Sequence, residues 1–232
     1  MLLEKVKAHR TIDMNRFGRN FFVGDIHGNK TALINQLNEL AFDFTQDRLF
    51  CAGDLIDRGP ESKDCLELLM EPWFFSTLGN HEAMFLQGFD EAAYWGVLLK
   101  NGGRWINDYQ DDMPALFSLA QLIRIKMSLS ITVKTAFGNI GVVHANAPKD
   151  WLALQTLNVN HESVPPYIWQ RTDFSHHHCL PIANVMAVVH GHNSVAKYQI
   201  INNQLWIDTY SKSGKFTILE DIQIAEKIKR SH

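Results

Sequence analysis

The chain has 232 residues, 46% of them apolar, and 22 Lys and Arg against 25 Asp and Glu leave a formal charge of −3. This composition excludes a disordered or fibrous chain, and the near-balanced charge excludes a blanket field for nucleic acid or anionic lipid. Three cysteines without C-x-x-C spacing, an N-terminus lacking a signal-peptide core, and no apolar run near ~18 residues point to a cytoplasmic protein with no membrane partner.

Residues 20–24 (NFFVG) read as a short buried strand, DIHGN at 25–29 as a turn, and 31–42 as a helix with Leu33, Leu37, Leu40 and Ala41 at helical spacing. The pattern repeats. LFCAG at 49–53 is a second apolar run, followed by DLIDRGPES and a helix over 62–70. WFFSTL at 73–78 is a third, followed by GNHE and a helix from His81 through Leu86. Residues 91–127 look largely helical, with loops around NGG at 101–103. The second half is β-rich: ITVKTAF and IGVVH flank a hairpin turn at Gly138–Asn139, VMAVV at 185–189 ends in HGHN, two short strands flank Asn202–Asn203, and KFTILED follows. The tail from Ile222 is amphipathic or frayed. Alternating strands and helices predict a layered α/β domain with its functional groups in loops beyond the carboxyl ends of the strands. With no repeat or linker to divide it, 1–232 reads as one domain.

Those loops carry the chemistry. Gly24-Asp25-Ile26-His27-Gly28, Gly53-Asp54-Leu55-Ile56-Asp57-Arg58-Gly59 and Gly79-Asn80-His81-Glu82 each follow an apolar run, and two further runs end in His144 and His190. A carboxylate or imidazole at the end of a buried strand is fixed in direction, and several strand ends side by side could converge on one point. Oxygen and imidazole donors without thiolate suit divalent manganese, iron or zinc.

GDIHG, GDLIDRG, GNHE, VVHAN and HGHN, in this order, resemble the signature of the PPP-type metallophosphoesterases, and specifically the small bacterial and bacteriophage serine/threonine protein phosphatases. NGGRW at 101–105, IWQR at 168–171 and LWIDT at 205–209 resemble that branch too, so the likeness runs from about Phe21 to Leu219. It implies a four-layer α/β/β/α sandwich, two mixed sheets flanked by helices, in a single calcineurin-like metallophosphoesterase domain. It implies two divalent metal ions, manganese first with iron or zinc also suited. Asp25, His27 and the bridging Asp54 match the ligands of the first ion; Asp54, Asn80, His144 and His192 match those of the second. Arg58 and Arg171, together with Asn80, match phosphate-binding positions, His81 the general acid, and Asp57 the carboxylate that orients it. The implied reaction is hydrolysis of phosphoserine or phosphothreonine in a phosphoprotein or phosphopeptide, with phosphotyrosine also within reach, by direct attack of a metal-bridging hydroxide and without a phosphoenzyme.

Each position also has a plainer reading. Asp57 and Arg58 could form a surface turn, Asn80 could cap a helix opening at His81, and Glu82 reads as helix support. His190 competes with His192 as the ligand, and only the resemblance favours His192. The His176–His178 run reads as solvated surface; Trp95, Trp105 and Trp151 as packing, although a loop tryptophan could line the substrate groove; Asp208 as structural; and Arg104 rivals Arg171. Two other functions stay open. Dinucleoside polyphosphate hydrolases on the same scaffold usually lack the Asp of D-R-G and read G-N-H-D, whereas this chain has Asp57 and Glu82. A non-catalytic scaffold would not require the full ligand set.

Overall fold

The computed structural model describes residues 1–174 and 179–230; the His176–His178 run and His232 lie outside them. In chain order the strands are β1 (Lys7–Ile12), β2 (Asn20–Val23), β3 (Arg48–Cys51), β4 (Phe74–Ser76), β5 (Ser128–Thr135), β6 (Gly138–Val143), β7 (Ala187–His190), β8 (Gln199–Ile201), β9 (Gln204–Trp206) and β10 (Ile218–Glu220). The helices are α1 (Lys30–Glu39), α2 (Ser62–Glu67), α3 (Asn80–Gly88), α4 (Ala93–Lys100), α5 (Met113–Lys126), the single-turn α6 (Pro165–Ile168) and α7 (Tyr210–Ser213), and α8 (Asp221–Arg230).

The strands form two mixed sheets. One has four strands in the order β10-β2-β3-β4, with β2, β3 and β4 parallel and β10 antiparallel to β2. The other has six, in the order β1-β5-β6-β7-β9-β8, with β6, β7 and β9 parallel. Alternation along β2 and β3 builds the layers, because successive side chains point to opposite faces. Phe22 and Phe50 face the six-stranded sheet, stacked at 5.4 Å between ring centroids, and join Ile131, Val133, Val142 and Val189 in a buried cluster. Phe21, Val23, Leu49 and Cys51 face the other way, onto Leu33, Leu37 and the residues of α3 and α5. The outer face of the six-stranded sheet is covered thinly. Trp151 and Leu154, in a 3-10 helix over Trp151–Thr156, pack on Val143 and Val188. Trp151 also donates through Nε1 to Thr132 Oγ1 at 2.7 Å.

The structure moves one expected turn, adds one strand and decides the form of the tail. The β5–β6 turn lies at Ala136–Phe137, with Thr135 paired to Gly138, two residues earlier than the Gly138–Asn139 signal. Gly138 supplies the positive φ (125°) at the first position of β6 instead. β1, which lacks clean alternation and is only partly buried, pairs in parallel with β5 and carries the edge of the larger sheet. The tail is helical to Arg230, because Ile224, Ala225 and Ile228 bury one face.

Candidate active site

The carboxyl ends of β2, β3, β4, β6 and β7 form one rim, and the loops that leave them bring the six expected ligand residues together. A left-handed backbone turns several of these side chains inward: φ is 47° at His27, 51° at Asp54, 72° at Asp57, 69° at Arg58 and 61° at His192. Such a conformation costs a non-glycine residue about 1–3 kcal/mol and persists only where the surroundings impose it. Two glycines permit the close approach. A Cβ on Gly79 would overlap Asp54 Oδ1, and one on Gly191 would overlap Asp25 Oδ1.

The tautomers follow from the hydrogen bonds. His27 Nδ1–H donates to Ile56 O at 2.9 Å and His144 Nδ1–H to Ala52 O at 2.7 Å, so each ring presents a bare Nε2 to the cluster. His192 donates from Nε2 to Trp169 O at 3.0 Å, which leaves Nδ1 bare. His27 Nε2 is buried with no hydrogen-bond partner, 3.8 Å from Asp25 Oδ2 and 3.7 Å from Asp54 Oδ2. His144 Nε2 faces Asn80 Oδ1 at 3.0 Å and Asp54 Oδ2 at 3.5 Å. Lone pairs converging without a proton between them are what a divalent cation satisfies. The donor atoms of Asp54, His144 and His192 lie within 4.8 Å of one another, as do those of His27, Asp54 and His81. Asp54 is common to both groups. Asp25 stands slightly back, accepting from the His192 backbone N–H at 3.0 and 3.2 Å.

Burial lowers His27 to about 4, and burial with His144 nearby lowers His192 to about 3, so both imidazoles are neutral and able to ligate. His144 is lowered by burial as well. Burial would raise Asp54, but His144, His81 and His27 outweigh it and hold this carboxyl below the ordinary range. Asp25 is pushed up by burial and by the carboxylates of Asp208 and Asp54. A cation would reverse that repulsion.

His81 differs from the other histidines. Its Nδ1 lies 2.6 Å from Asp57 Oδ2, both side chains are buried, and its backbone N–H donates to Asp54 Oδ1 at 3.1 Å. Burial lowers its pKa, but Asp54 and Asp57 outweigh burial and the net shift is upward. Arg58 Nη2 is 3.3 Å from His81 Nε2, so one anionic oxygen could accept from both. Arg171 Nη1 donates to His192 O at 2.9 Å and lines a cavity of about 390 Å³ shared with Asn146 and Trp206. Arg104 is exposed and lines neither that cavity nor the one beside Arg58.

His190 turns away from the cluster. It is stacked on Trp206 at 4.8 Å and donates to Ala145 O at 2.5 Å. Glu82 accepts from the backbone N–H groups of Asp54, Leu55, Ile56 and Gly79, which pins two of the loops together. Asn80 is the first residue of α3, with Gly79 in the cap position, so its side chain is free to face His144.

Two residues read as packing or structural from sequence stand at the site. Trp105 donates through Nε1 to Asp57 Oδ1 at 2.7 Å. Asp208, beyond β9, lines a cavity of about 200 Å³ with Asp25, His27 and Arg58. The signal for Asp208 was present, since LWID repeats the pattern of an apolar run ending in Asp. Trp105 stood in the NGGRW motif, but nothing there pointed to its partner Asp57, 48 residues away.

A model of the calcineurin-like phosphoesterase family matches residues 19–209. The chain belongs to that family. As a calcineurin-like phosphoesterase it is a hydrolase of phosphate esters, and membership implies divalent metal ions for which the residues above are fitting donors. Serine/threonine-protein phosphatase 2 of Escherichia coli (strain K12) is 33% identical over 215 residues, 90% of this chain and 95% of that protein. A symmetrical bis(5'-nucleosyl)-tetraphosphatase of Actinobacillus succinogenes is 30% identical over 136 residues, 56% of this chain and 45% of that protein. The structure of a protein serine/threonine phosphatase from Saccharomyces cerevisiae superposes with a TM-score of 0.60 at 14% identity, covering 88% of this chain and 72% of that one, a likeness of fold. No helix among the described residues is long and apolar enough to cross a membrane.

Proposed function

We propose that this phosphoesterase is a protein phosphatase that hydrolyses phosphoserine and phosphothreonine monoesters, acting as one domain over 1–232 in the cytoplasm. The observation that carries this reading is the buried Asp57–His81 contact of 2.6 Å, braced by Trp105. An alkoxide from serine or threonine is a poor leaving group and needs a proton as its bond to phosphorus breaks, and a histidine held protonated by a buried carboxylate supplies one. A diphosphate leaving group needs that proton far less. The near full-length match to a serine/threonine phosphatase, against under half of a tetraphosphatase, favours the same reading.

The family resemblance supplies the assignments, and the convergence of these donors supports them. Asp25, His27 and Asp54 would hold one cation, and Asp54, Asn80, His144 and His192 a second, with manganese the first choice and iron or zinc also matched by the donors. Two such cations supply Lewis acidity and lower the pKa of a nucleophilic water. Arg58, Arg171 and Asn80 bind the phosphoryl oxygens, the guanidinium forks being suited to two oxygens at once. His81 Nε2–H gives its proton to the departing oxygen, while Asp57 accepts from Nδ1–H and keeps the ring in place. No side chain forms a covalent phosphoenzyme.

The test is a paired assay on phosphoserine peptides and diadenosine tetraphosphate in the presence of Mn²⁺. Phosphopeptide turnover that exceeds nucleotide cleavage supports the proposal. Clean cleavage of the nucleotide with no action on phosphopeptides reverses it in favour of the tetraphosphatase reading, and no turnover of either, or of an aryl phosphate, leaves a scaffold.

A further inference from the structure

Asp208 has no place in the assignments above, yet its surroundings are those of a functional carboxylate. It lies at the carboxyl end of β9, which is paired in parallel with β7, so β9 adds another strand end to the rim. Its backbone abuts Gly24, immediately before Asp25. The side chain is 1% exposed. Ser194 Oγ donates to Oδ2 at 2.5 Å, and Oδ1 is buried without a donor. It shares the cavity with Asp25, His27 and Arg58. A packing residue at this position would not need to be charged. A second buried carboxylate beside Asp25 is unfavourable unless positive charge arrives between or beside them.

We propose that Asp208 is a third carboxylate of the first cation site, a positioning residue that raises the affinity of that site by adding negative charge beside Asp25. The inference rests on the two-cation reading above. On that reading the ligand sets are unequal. The first site has Asp25 to itself and shares Asp54, whereas the second has only the shared Asp54 with neutral Asn80, His144 and His192. Asp208 widens the difference, so the first cation binds more tightly than the second. Ser194 fixes Oδ2, and Oδ1 is left without a donor in a residue that lines the cavity with Asp25 and His27. Groups that orient metal ligands in this way typically change affinity by about 10–100-fold when removed.

The test uses Asp208→Asn, which keeps the shape and the acceptor for Ser194 while removing the charge. Full-length wild type and variant are stripped with chelator, titrated with Mn²⁺ by calorimetry, and melted with and without the metal. The expected result is a Kd for the tighter Mn²⁺ raised by about 10–100-fold, with a smaller Mn²⁺-induced gain in Tm. Ser194→Ala, which leaves the charge but frees the side chain, is expected to show a smaller shift in the same direction. A variant whose Mn²⁺ Kd and Mn²⁺-induced gain equal those of wild type, whatever its Tm in chelator, overturns the role of Asp208 and leaves the two-cation reading intact. A wild type with no Mn²⁺-induced gain overturns both.

Discussion

At the residue scale, each buried imidazole at the site is assigned by the atom that faces its other nitrogen. Backbone carbonyls take Nδ1–H of His27 and His144 and Nε2–H of His192, and these rings are left bare toward the cluster. A carboxylate takes Nδ1 of His81, and this ring alone is raised rather than lowered. One residue type thus takes two environments here, one suited to ligating a cation and one suited to giving up a proton. His81→Asn is expected to keep Mn²⁺ binding and the fold while slowing hydrolysis of an alkyl phosphate by about 10²–10⁴. The loss should shrink on an aryl phosphate, whose leaving group needs little proton assistance. Equal losses on both substrates would remove His81 from the role of acid. Asp54→Asn, which strips the carboxylate common to both groups, is expected to abolish Mn²⁺ binding in calorimetry together with activity. Most of these residues were legible in the sequence because each follows an apolar run. The role of Trp105, though it ends the NGGRW motif, was not, since a hydrogen bond to Asp57 across 48 residues leaves no local pattern. Nor could spacing alone separate His190 from His192, whereas stacking on Trp206 draws His190 out of the cluster.

At the scale of elements, strands aim the side chains and the turns after them bend the backbone into the rim. Gly191 lies against Asp25 Oδ1, so Gly191→Ala should displace that carboxylate. Its expected signature is weaker Mn²⁺ binding with a smaller change in the Tm of the chelator-treated protein. A normal Mn²⁺ affinity would show that the loop can shift without consequence. Far from the site, the entry into β2 and the turn before β3 are tied by Asp47. It accepts from Arg19 N, Nε and Nη2 at 2.7, 3.1 and 2.6 Å and from Asp43 N at 3.0 Å. Burial would raise this carboxyl, but those donors outweigh it and hold its pKa below the ordinary value. A depressed carboxylate adds stability that is complete above the unfolded pKa of about 3.9 and is lost as pH falls through the folded value. Asp47→Asn is therefore expected to cost about 1.5–3 kcal/mol near neutral pH, and less below about pH 4, read from urea unfolding at both. A cost independent of pH would mean that shape rather than charge matters there. The strands were visible in sequence where hydrophobic runs end in Gly or His. β1 was not, because an edge strand with polar residues on both faces lacks the alternation that marks a half-buried one.

At the scale of the molecule, two sheets packed face to face bring the strand ends of both halves of the chain to a common edge. Phe22 and Phe50 from the four-stranded sheet meet Val142 and Val189 from the other, and this shared core sets Asp25 and Asp54 opposite His144 and His192. The second donor set draws Asp54 and Asn80 from one half and His144 and His192 from the other, so it exists only when the sheets dock. Chelation should therefore lower Tm as well as activity, since a ligand bound only by the folded state stabilises it. An unchanged Tm after chelation would place the metal outside the stability of the fold. The layered architecture was legible from the alternation of strands and helices. The thinness of the layer over the six-stranded sheet was not, because it depends on how Trp151 lies across Gly141 and not on any helical pattern.

The central claim is that Asp25, His27, Asp54, Asn80, His144 and His192 enclose two cations. The most direct test is a crystal structure of the full chain grown with Mn²⁺, with anomalous scattering measured at the manganese edge. The account predicts two peaks about 3.5–4 Å apart with Asp54 between them. A single peak, or peaks held by other residues, would contradict it.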